Sequence, residues 1–215
     1  MISYDTRIGV KMKKRQFIIN ELMVPNFIES MGATDVFYEL DIAGNSELTF
    51  EMSRTDNFCI KNVDKKKTDI LYFNASKKLS MWKRVDHIIF EHLGEKQWRI
   101  HLIEMKSSVN ADKWVEVKGK FRASYLLVQG IAAMLEMNIV ETLMYTTYEH
   151  VDMKHDLTLP SARRIRSGRR IVRPEDEWSG GQFELNFGEG VPFQHIPIKM
   201  TRNSQDVLVG RYKSF

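Results

Sequence analysis

The sequence has little of what marks several classes of protein. Of its 215 residues only Cys59 is a cysteine, which excludes an intrachain disulfide and a cysteine-based zinc cluster. No apolar run approaches the roughly 20 residues of a membrane-spanning helix, and Met1–Arg15 lacks the apolar block of a signal peptide. The six histidines are spaced as in no zinc signature. These absences predict a protein of a reducing, cytoplasmic compartment that enters no membrane.

The composition is that of a soluble globular protein, with 43% hydrophobic and 28% charged residues. A formal net charge of +4 permits contact with nucleic acid but does not require it. The length suits one domain with an ample core. We expect a single domain over 1–215, with a helical N-terminal part (1–45), a core (46–155), and an arginine-rich loop with C-terminal strands (156–215).

Two apolar runs in the middle of the chain, Val85–Phe90 and Trp98–Met105, predict an antiparallel hairpin. The polar segment between them contains Gly94, which supplies the conformational freedom that a chain reversal needs. In the second run both alternating faces are apolar, which is typical of a central strand covered on both sides. This strand nevertheless ends in Glu104 and Lys106, side by side on one face.

The expected register brings two carboxylates together. If the turn centres on Glu95, Asp86 lies opposite Glu104, and Cβ atoms of directly opposed residues are roughly 4.5–5.5 Å apart. Two carboxylates so close repel each other and are costly beside apolar neighbours, so a cation is needed between them. Carboxylate oxygens suit Mg²⁺ or Mn²⁺. Lys106 would then hold an attacking water or neutralise a phosphate, as in metal-assisted phosphodiester hydrolysis.

An Asp that heads an apolar strand, followed by a hairpin and a strand ending in Glu-x-Lys, resembles the core of the PD-(D/E)xK nuclease superfamily. Here these strands read Val85-Asp86-His87-Ile88-Ile89-Phe90 and His101-Leu102-Ile103-Glu104-Met105-Lys106. The resemblance implies a restriction-endonuclease-like α/β fold with a mixed central sheet and flanking helices. It also implies that Asp86 and Glu104 bind the metal and that Lys106 assists the water. Val85 stands where some members have a proline, and the additional acid that many members carry on an earlier helix is not identified.

Other interpretations of these residues exist within the sequence. Glu116-Val117-Lys118 and Asp152-Met153-Lys154 repeat the acid-x-Lys pattern, but neither follows an Asp-headed partner strand through a short turn. The alternative for Asp86, Glu104 and Lys106 is an ordinary hairpin whose charged ends are solvated.

The rest of the chain supplies elements around this hairpin. Periodicity predicts a helix within Lys11–Ser30 that bends or ends before Pro25, and a strong helix over Gly119–Asn138. We expect Ser107–Lys113 to be a loop. The predicted strands are Glu47–Met52, Phe58–Ile60, Ile70–Phe73, Leu143–Val151, Phe183–Phe187, Ile196–Met200 and Val207–Tyr212.

Two sets of residues are candidates for contact with nucleic acid. By the resemblance, polar residues at the start of the second helix lie near the phosphate, and here these are Lys118, Arg122 and Gln129, with a solvated helix face as the alternative. The second set is six arginines in eleven positions without an acid, which suits a mobile arm along a phosphate backbone. These are Arg163, Arg164, Arg166, Arg169, Arg170 and Arg173. The alternative is a flexible surface loop, or one that closes on the acidic Asp176-Glu177 or on a partner protein.

The expected function is therefore metal-dependent hydrolysis of phosphodiester bonds, in DNA rather than RNA, with Mg²⁺ or Mn²⁺ as cofactor. One alternative is a catalytically inactive module of the nuclease fold that binds nucleic acid or serves in assembly. Another is a metal-dependent phosphohydrolase for nucleotides, which the arginine-rich segment fits less well. A homodimer remains open.

Overall fold

The computed structural model describes residues 14–41, 44–66, 81–153, 165–167 and 170–215. Its helices are α1 (Lys14–Phe17), followed by a π-helical segment (Ile18–Leu22), α2 (Ala111–Met134) and α3 (Pro174–Gly180), with a 3-10 turn at Val63–Lys65. The strands are β1 (Glu29–Met31), β2 (Thr34–Asp41), β3 (Gly44–Glu51), β4 (Asn57–Ile60), β5 (His87–Gly94), β6 (Gln97–Glu104), β7 (Ser108–Asn110), β8 (Asn138–Tyr148), β9 (His150–Asp152), β10 (Ile165–Ser167), β11 (Arg170–Val172), β12 (Gln182–Asn186), β13 (Gly190–Lys199), β14 (Thr201–Arg202) and β15 (Leu208–Lys213).

A mixed seven-stranded sheet forms the centre of the described structure, in the order β1-β4-β5-β6-β8-β13-β12. β5 and β6 are an antiparallel hairpin, whereas β6 pairs with β8, and β8 with β13, in parallel. Parallel neighbours need a crossover connection, and α2 provides it between β6 and β8. The expected α/β fold with a mixed sheet is confirmed at this level.

α2 covers one face of the sheet. The apolar side chains of β5 and β6 that point to this face, including Ile88, Phe90, Ile100 and Leu102, pack with Trp114 and other buried residues of α2. Asn110 caps the helix, since its side-chain oxygen accepts a hydrogen bond from the backbone N–H of Lys113 at 2.9 Å.

A second sheet covers the opposite face, in the order β14-β15-β3-β2. Phe37, Leu48 and Phe50 of this sheet pack in one cluster with Ile89 and Ile103 of the hairpin. We expected flanking helices, but this face is closed by strands. The pairing of β3 with β15 joins segments far apart in the chain, such as Ser46 and Leu208.

The hairpin prediction is confirmed in strand positions, register and faces. His87 pairs with Ile103 and His92 with Trp98, and a tight turn at Glu95 and Lys96 joins the strands. Gly94 has a φ of 127°, a conformation that an L side chain rarely adopts. Both faces of β6 are buried, as the alternation of its apolar residues predicts.

Several other predictions are wrong. α2 starts at Ala111 rather than Gly119 and ends at Met134 rather than Asn138, and the expected loop Ser107–Lys113 holds β7 and the first turn of α2. Within the described residues of the N-terminal part, 14–22 are helical, whereas β-favouring residues over 34–41 form β2 beside β3. The predicted strand Ile70–Phe73 lies outside the described residues. None of the described helices has the length and apolar character to cross a membrane.

Candidate functional site

Asp86 lies immediately before β5 and is buried, with 3% of its surface exposed. Its backbone oxygen accepts a hydrogen bond from Val63 N at 2.8 Å. Its side-chain Oδ2 accepts a hydrogen bond from Met105 N at 2.6 Å, which ends the ladder between β5 and β6. These bonds fix the carboxylate at the end of the hairpin.

Glu104 is the last residue of β6 and has no exposed surface. Continuing the register in which His87 pairs with Ile103 places Glu104 directly opposite Asp86, as the sequence predicts. Its Oε2 atom is buried and has no hydrogen-bond partner among the described residues. A buried carboxylate oxygen without a partner is costly, which marks this position as suited to an additional cation or donor.

Two lysines contact the same oxygen of Glu104. Lys106 Nζ lies 2.7 Å from Glu104 Oε1, and its side chain is 31% exposed. Lys120 Nζ, which α2 brings across from the opposite side, lies 2.6 Å from Glu104 Oε1 and 3.8 Å from Asp86 Oδ1. Two positive charges therefore balance the two carboxylates without any added ion.

The pKa values of this cluster reflect its burial. Burial raises the pKa of Asp86 to about 7, and the charge of Glu104 adds to this effect, while Lys120 and Lys106 oppose it. Burial alone would lower the pKa of Lys106, but the charge of Glu104 and its hydrogen bond outweigh burial and raise that pKa above its ordinary value. Lys106 is therefore a permanent ammonium cation near neutral pH.

The backbone of Lys106 is held by Thr147 on β8. Lys106 N donates to Thr147 Oγ1 at 2.9 Å, and Thr147 Oγ1 donates to the Lys106 backbone oxygen at 3.2 Å. Thr147 is fully buried, so this double contact anchors the chain directly after β6. The backbone of Lys106 is thus fixed, while its side chain is partly exposed.

Few of the described side chains at this site could bind a metal ion. In the ranges that the structure describes, no group of three or more His, Cys, Asp or Glu side chains is arranged to hold a metal ion. Asp86 and Glu104 are the two carboxylates that meet here. Asp86 Oδ2 accepts from Met105 N, Glu104 Oε1 accepts from lysine alone, and Glu104 Oε2 has no partner among the described residues. Two carboxylate oxygens and several waters are a common environment for Mg²⁺, so the residues fit such an ion.

Lys118, Arg122 and Gln129 lie on another face of α2. Residues spaced by four and seven share a helical face, whereas Lys120 is about 200° around the helix from Lys118. Lys118 is buried, and its Nζ contacts Glu177 Oε1 at 2.6 Å and Oε2 at 2.8 Å, so it serves inside the fold. Gln129 lines an open groove of about 510 Å³ between α2, β8 and β13. Arg122 is half-buried, and burial lowers its pKa. The structure does not bring these three residues to Asp86 and Glu104.

The arginine-rich segment is described only in part. Arg166 and Arg170 lie on β10 and β11, whose antiparallel pairing matches Ile165 with Val172. Arg173 is exposed and directly precedes α3. The remaining arginines of the set, Arg163, Arg164 and Arg169, lie outside the described residues.

Lys120 and Thr147 are the site residues that sequence reasoning missed. Lys120 follows Glu116 by four residues on the helix, and a correct helix start would have placed it in the third turn, facing the hairpin. Thr147 pairs in the sheet with residues far away in the chain, and no local pattern indicates its contact with Lys106.

No known protein-family model matches the chain, and no curated protein or solved structure is significantly similar to it. The resemblance to the PD-(D/E)xK superfamily therefore depends on the hairpin residues themselves.

Proposed function

We propose that the protein is a metal-dependent nuclease with a restriction-endonuclease-like core, which hydrolyses phosphodiester bonds in DNA rather than RNA. The observation that carries the proposal is the meeting of Asp86, Glu104 and Lys106 at one end of a hairpin. The order hairpin, helix, parallel strand in β5, β6, α2 and β8 supports it, since it is the order that the resemblance implies.

In this proposal Asp86 and Glu104 would hold Mg²⁺ or Mn²⁺. A bound divalent cation would supply Lewis-acid polarisation of the phosphate and lower the pKa of a bound water. Asp86 Oδ2 keeps its hydrogen bond from Met105 N, so the carboxylate is oriented before any ligand arrives. This preorganisation reduces the cost of binding an ion.

Lys106 acts as a hydrogen-bond donor and a positive charge rather than as a base. Its raised pKa keeps the ammonium protonated, so it has no lone pair with which to take a proton from water. The exposed Nζ can donate to the attacking water or to a phosphate oxygen on which negative charge develops. Its backbone contacts with Thr147 fix the position from which it does so.

Nucleic acid is the proposed partner, and the arginine-rich segment Arg163–Arg173 is the proposed backbone contact. Arginine binds phosphate oxygens two at a time, and two members of the set, Arg166 and Arg170, lie on the paired strands β10 and β11. Phosphate contacts position a duplex without reading its sequence.

One observation favours the second candidate, a catalytically inactive module of the same fold that binds nucleic acid or serves in assembly. Lys106 and Lys120 already neutralise Asp86 and Glu104, and a charge-balanced buried cluster can persist as a structural element. In that case Asp86 would serve to cap the strand end through Met105 N.

Cleavage of single-stranded, double-stranded and branched DNA and of RNA, each with Mg²⁺ and with Mn²⁺, tests the proposal. We expect metal-dependent cleavage by the unmodified chain that EDTA stops and Asp86→Asn removes. Nucleic-acid binding without cleavage in every combination would reject the nuclease and support the inactive module. Hydrolysis of free nucleotides alone would point to a phosphohydrolase.

A further inference from the structure

Lys120 occupies the position between the two carboxylates. Its Nζ is 2.6 Å from Glu104 Oε1 and 3.8 Å from Asp86 Oδ1, and its side chain is only 13% exposed. Of the two acids, Lys106 is within salt-bridge distance of Glu104 only, and its side chain is more exposed than that of Lys120. Lys120 is thus the cation most enclosed by the pair.

We infer that Lys120 is an internal competitor for the metal, so that its ammonium weakens the binding of a divalent cation by Asp86 and Glu104. The inference rests on the proposed metal-dependent function. It assigns to Lys120 a role in setting the metal affinity of the site.

The physical argument is one of charge and space. An ammonium and a divalent cation that bind the same carboxylate oxygens repel each other, and the repulsion is strong where water is largely excluded. Lys120 Nζ is within hydrogen-bond distance of Glu104 Oε1 and 3.8 Å from Asp86 Oδ1, so a cation held by both carboxylates is repelled by the ammonium unless the ammonium withdraws. The lysine stem has four flexible carbons, so withdrawal does not require α2 to move.

A different role for Lys120 would have the opposite effect on the metal. If its hydrogen bond serves only to orient Glu104 for ligation, loss of Lys120 weakens metal binding. If it is a competitor, loss of the positive charge strengthens metal binding. Measured metal affinity therefore separates the two roles.

The experiment is a titration of the full chain with Mn²⁺, at fixed pH and ionic strength, followed by the electron paramagnetic resonance signal of free Mn²⁺. Lys120→Met removes the charge and keeps the side-chain length, and Lys120→Arg keeps the charge. Lys113→Met is the matched control, because Lys113 lies on the same helix but contacts Ser108 instead of the carboxylates. If circular dichroism shows that Lys120→Met does not fold, Lys120→Gln takes its place.

We expect Lys120→Met to bind Mn²⁺ about tenfold or more tightly than the unmodified chain, given the strength of charge interactions at this distance. Lys120→Arg and Lys113→Met should stay within about twofold, since the first keeps the charge and the second removes a distant, solvated one. Equal or weaker binding by Lys120→Met overturns the inference and leaves the proposed metal site intact. Absence of Mn²⁺ binding in every variant rejects the proposed metal site itself.

Discussion

Asp86 and Glu104 lie opposite each other at the end of the β5–β6 hairpin, and both carboxylates are buried. Burying two acids in contact is costly unless their charge is balanced. Lys106 and Lys120 provide this balance, yet Glu104 Oε2 has no partner among the described residues. Such an arrangement is costly for a hairpin end, which is otherwise easily solvated, and the proposed binding of a cation would account for it.

The raised pKa of Asp86 predicts how stability changes with pH in the absence of metal. Asp86 keeps its proton to about pH 7 in the folded chain but loses it near its ordinary value of 3.8 when unfolded. The folded state thus binds more protons between these values, and the contribution of Asp86 to stability declines as pH rises from about 4 to 7. At 1.36 kcal/mol per pKa unit the decline is at most about 4 kcal/mol.

Urea denaturation in EDTA at several pH values between 4 and 8 measures this effect. Asp86→Asn cannot ionise, so its free energy of unfolding should rise relative to the unmodified chain as pH increases across that window. Identical pH profiles for the two proteins would show that Asp86 titrates normally and is not held in an apolar site.

Glu104→Gln should remove metal-dependent stabilisation. A ligand binds only the folded state in this case, and its free concentration is a hundredfold above its dissociation constant. It then raises the free energy of unfolding by about 2.7 kcal/mol. Glutamine keeps the size of the side chain but lacks the charge that attracts Mg²⁺ or Mn²⁺. Thermal melts with and without metal test this, with Glu116→Gln as control, since Glu116 is a nearby acid of α2 paired with Lys83. A persistent metal shift in Glu104→Gln would move the metal elsewhere, with Asp152 as the first residue to examine.

Lys106→Met should suppress cleavage while metal binding persists. The ammonium is proposed to assist the water or the phosphate rather than to ligate, so its loss should lower kcat by about 10²-fold or more, as for other preorganised donors. Single-turnover cleavage and a parallel Mn²⁺ titration separate the two effects. Unchanged kcat would assign the chemistry to another group.

The hairpin was predictable because its information is local. The two apolar runs, the turn with Gly94 and the alternation along β6 set strand positions and register within about twenty residues of sequence, as hairpin turns do in general. The meeting of Asp86 and Glu104 follows directly from that register. The same alternation places His87 and His101 on the opposite face, where they contact Phe37 and Phe50.

The rest depended on interactions that local patterns do not encode. The pairing of β3 with β15 is decided by tertiary contacts across most of the chain. The start of α2 is an error of another kind, because local signals for Ala111 rather than Gly119 were present: Asn110 caps the helix, and Trp114 and Val117 already follow its apolar spacing. At 1.5 Å per residue the eight missing residues are about 12 Å of helix, and they place Lys120 in the third turn rather than at the start of α2.

Lys118 should prove structural rather than substrate-binding. Its ammonium is enclosed with Glu177, which also accepts a hydrogen bond from Trp114 Nε1 at 3.0 Å. Removing one partner of a buried ion pair leaves an uncompensated charge and costs about 3–5 kcal/mol. Lys118→Met should therefore lower the free energy of unfolding strongly, measured by urea denaturation.

The double variant Lys118→Met with Glu177→Gln is the control, because it removes both charges and should recover much of the lost stability. If Lys118→Met instead folds normally and weakens nucleic-acid binding, Lys118 faces the substrate after all.

Substitutions in the arginine-rich segment test substrate binding separately from cleavage. If its arginines contact phosphates, each contact releases condensed counterions, and the logarithm of affinity falls with the logarithm of salt with a slope of about −0.9 per contact on duplex DNA. Replacing Arg169 and Arg170 by Ala should weaken binding on all sequences alike and flatten the slope by nearly two units, when measured by fluorescence anisotropy over a range of salt.

Cleavage by the same variant should fall at low substrate concentration and largely recover at high substrate concentration, since binding common to ground and transition states is lost. Binding that responds neither to salt nor to these substitutions would assign the segment to a protein partner, and the nuclease proposal would then depend on Asp86, Glu104 and Lys106 alone.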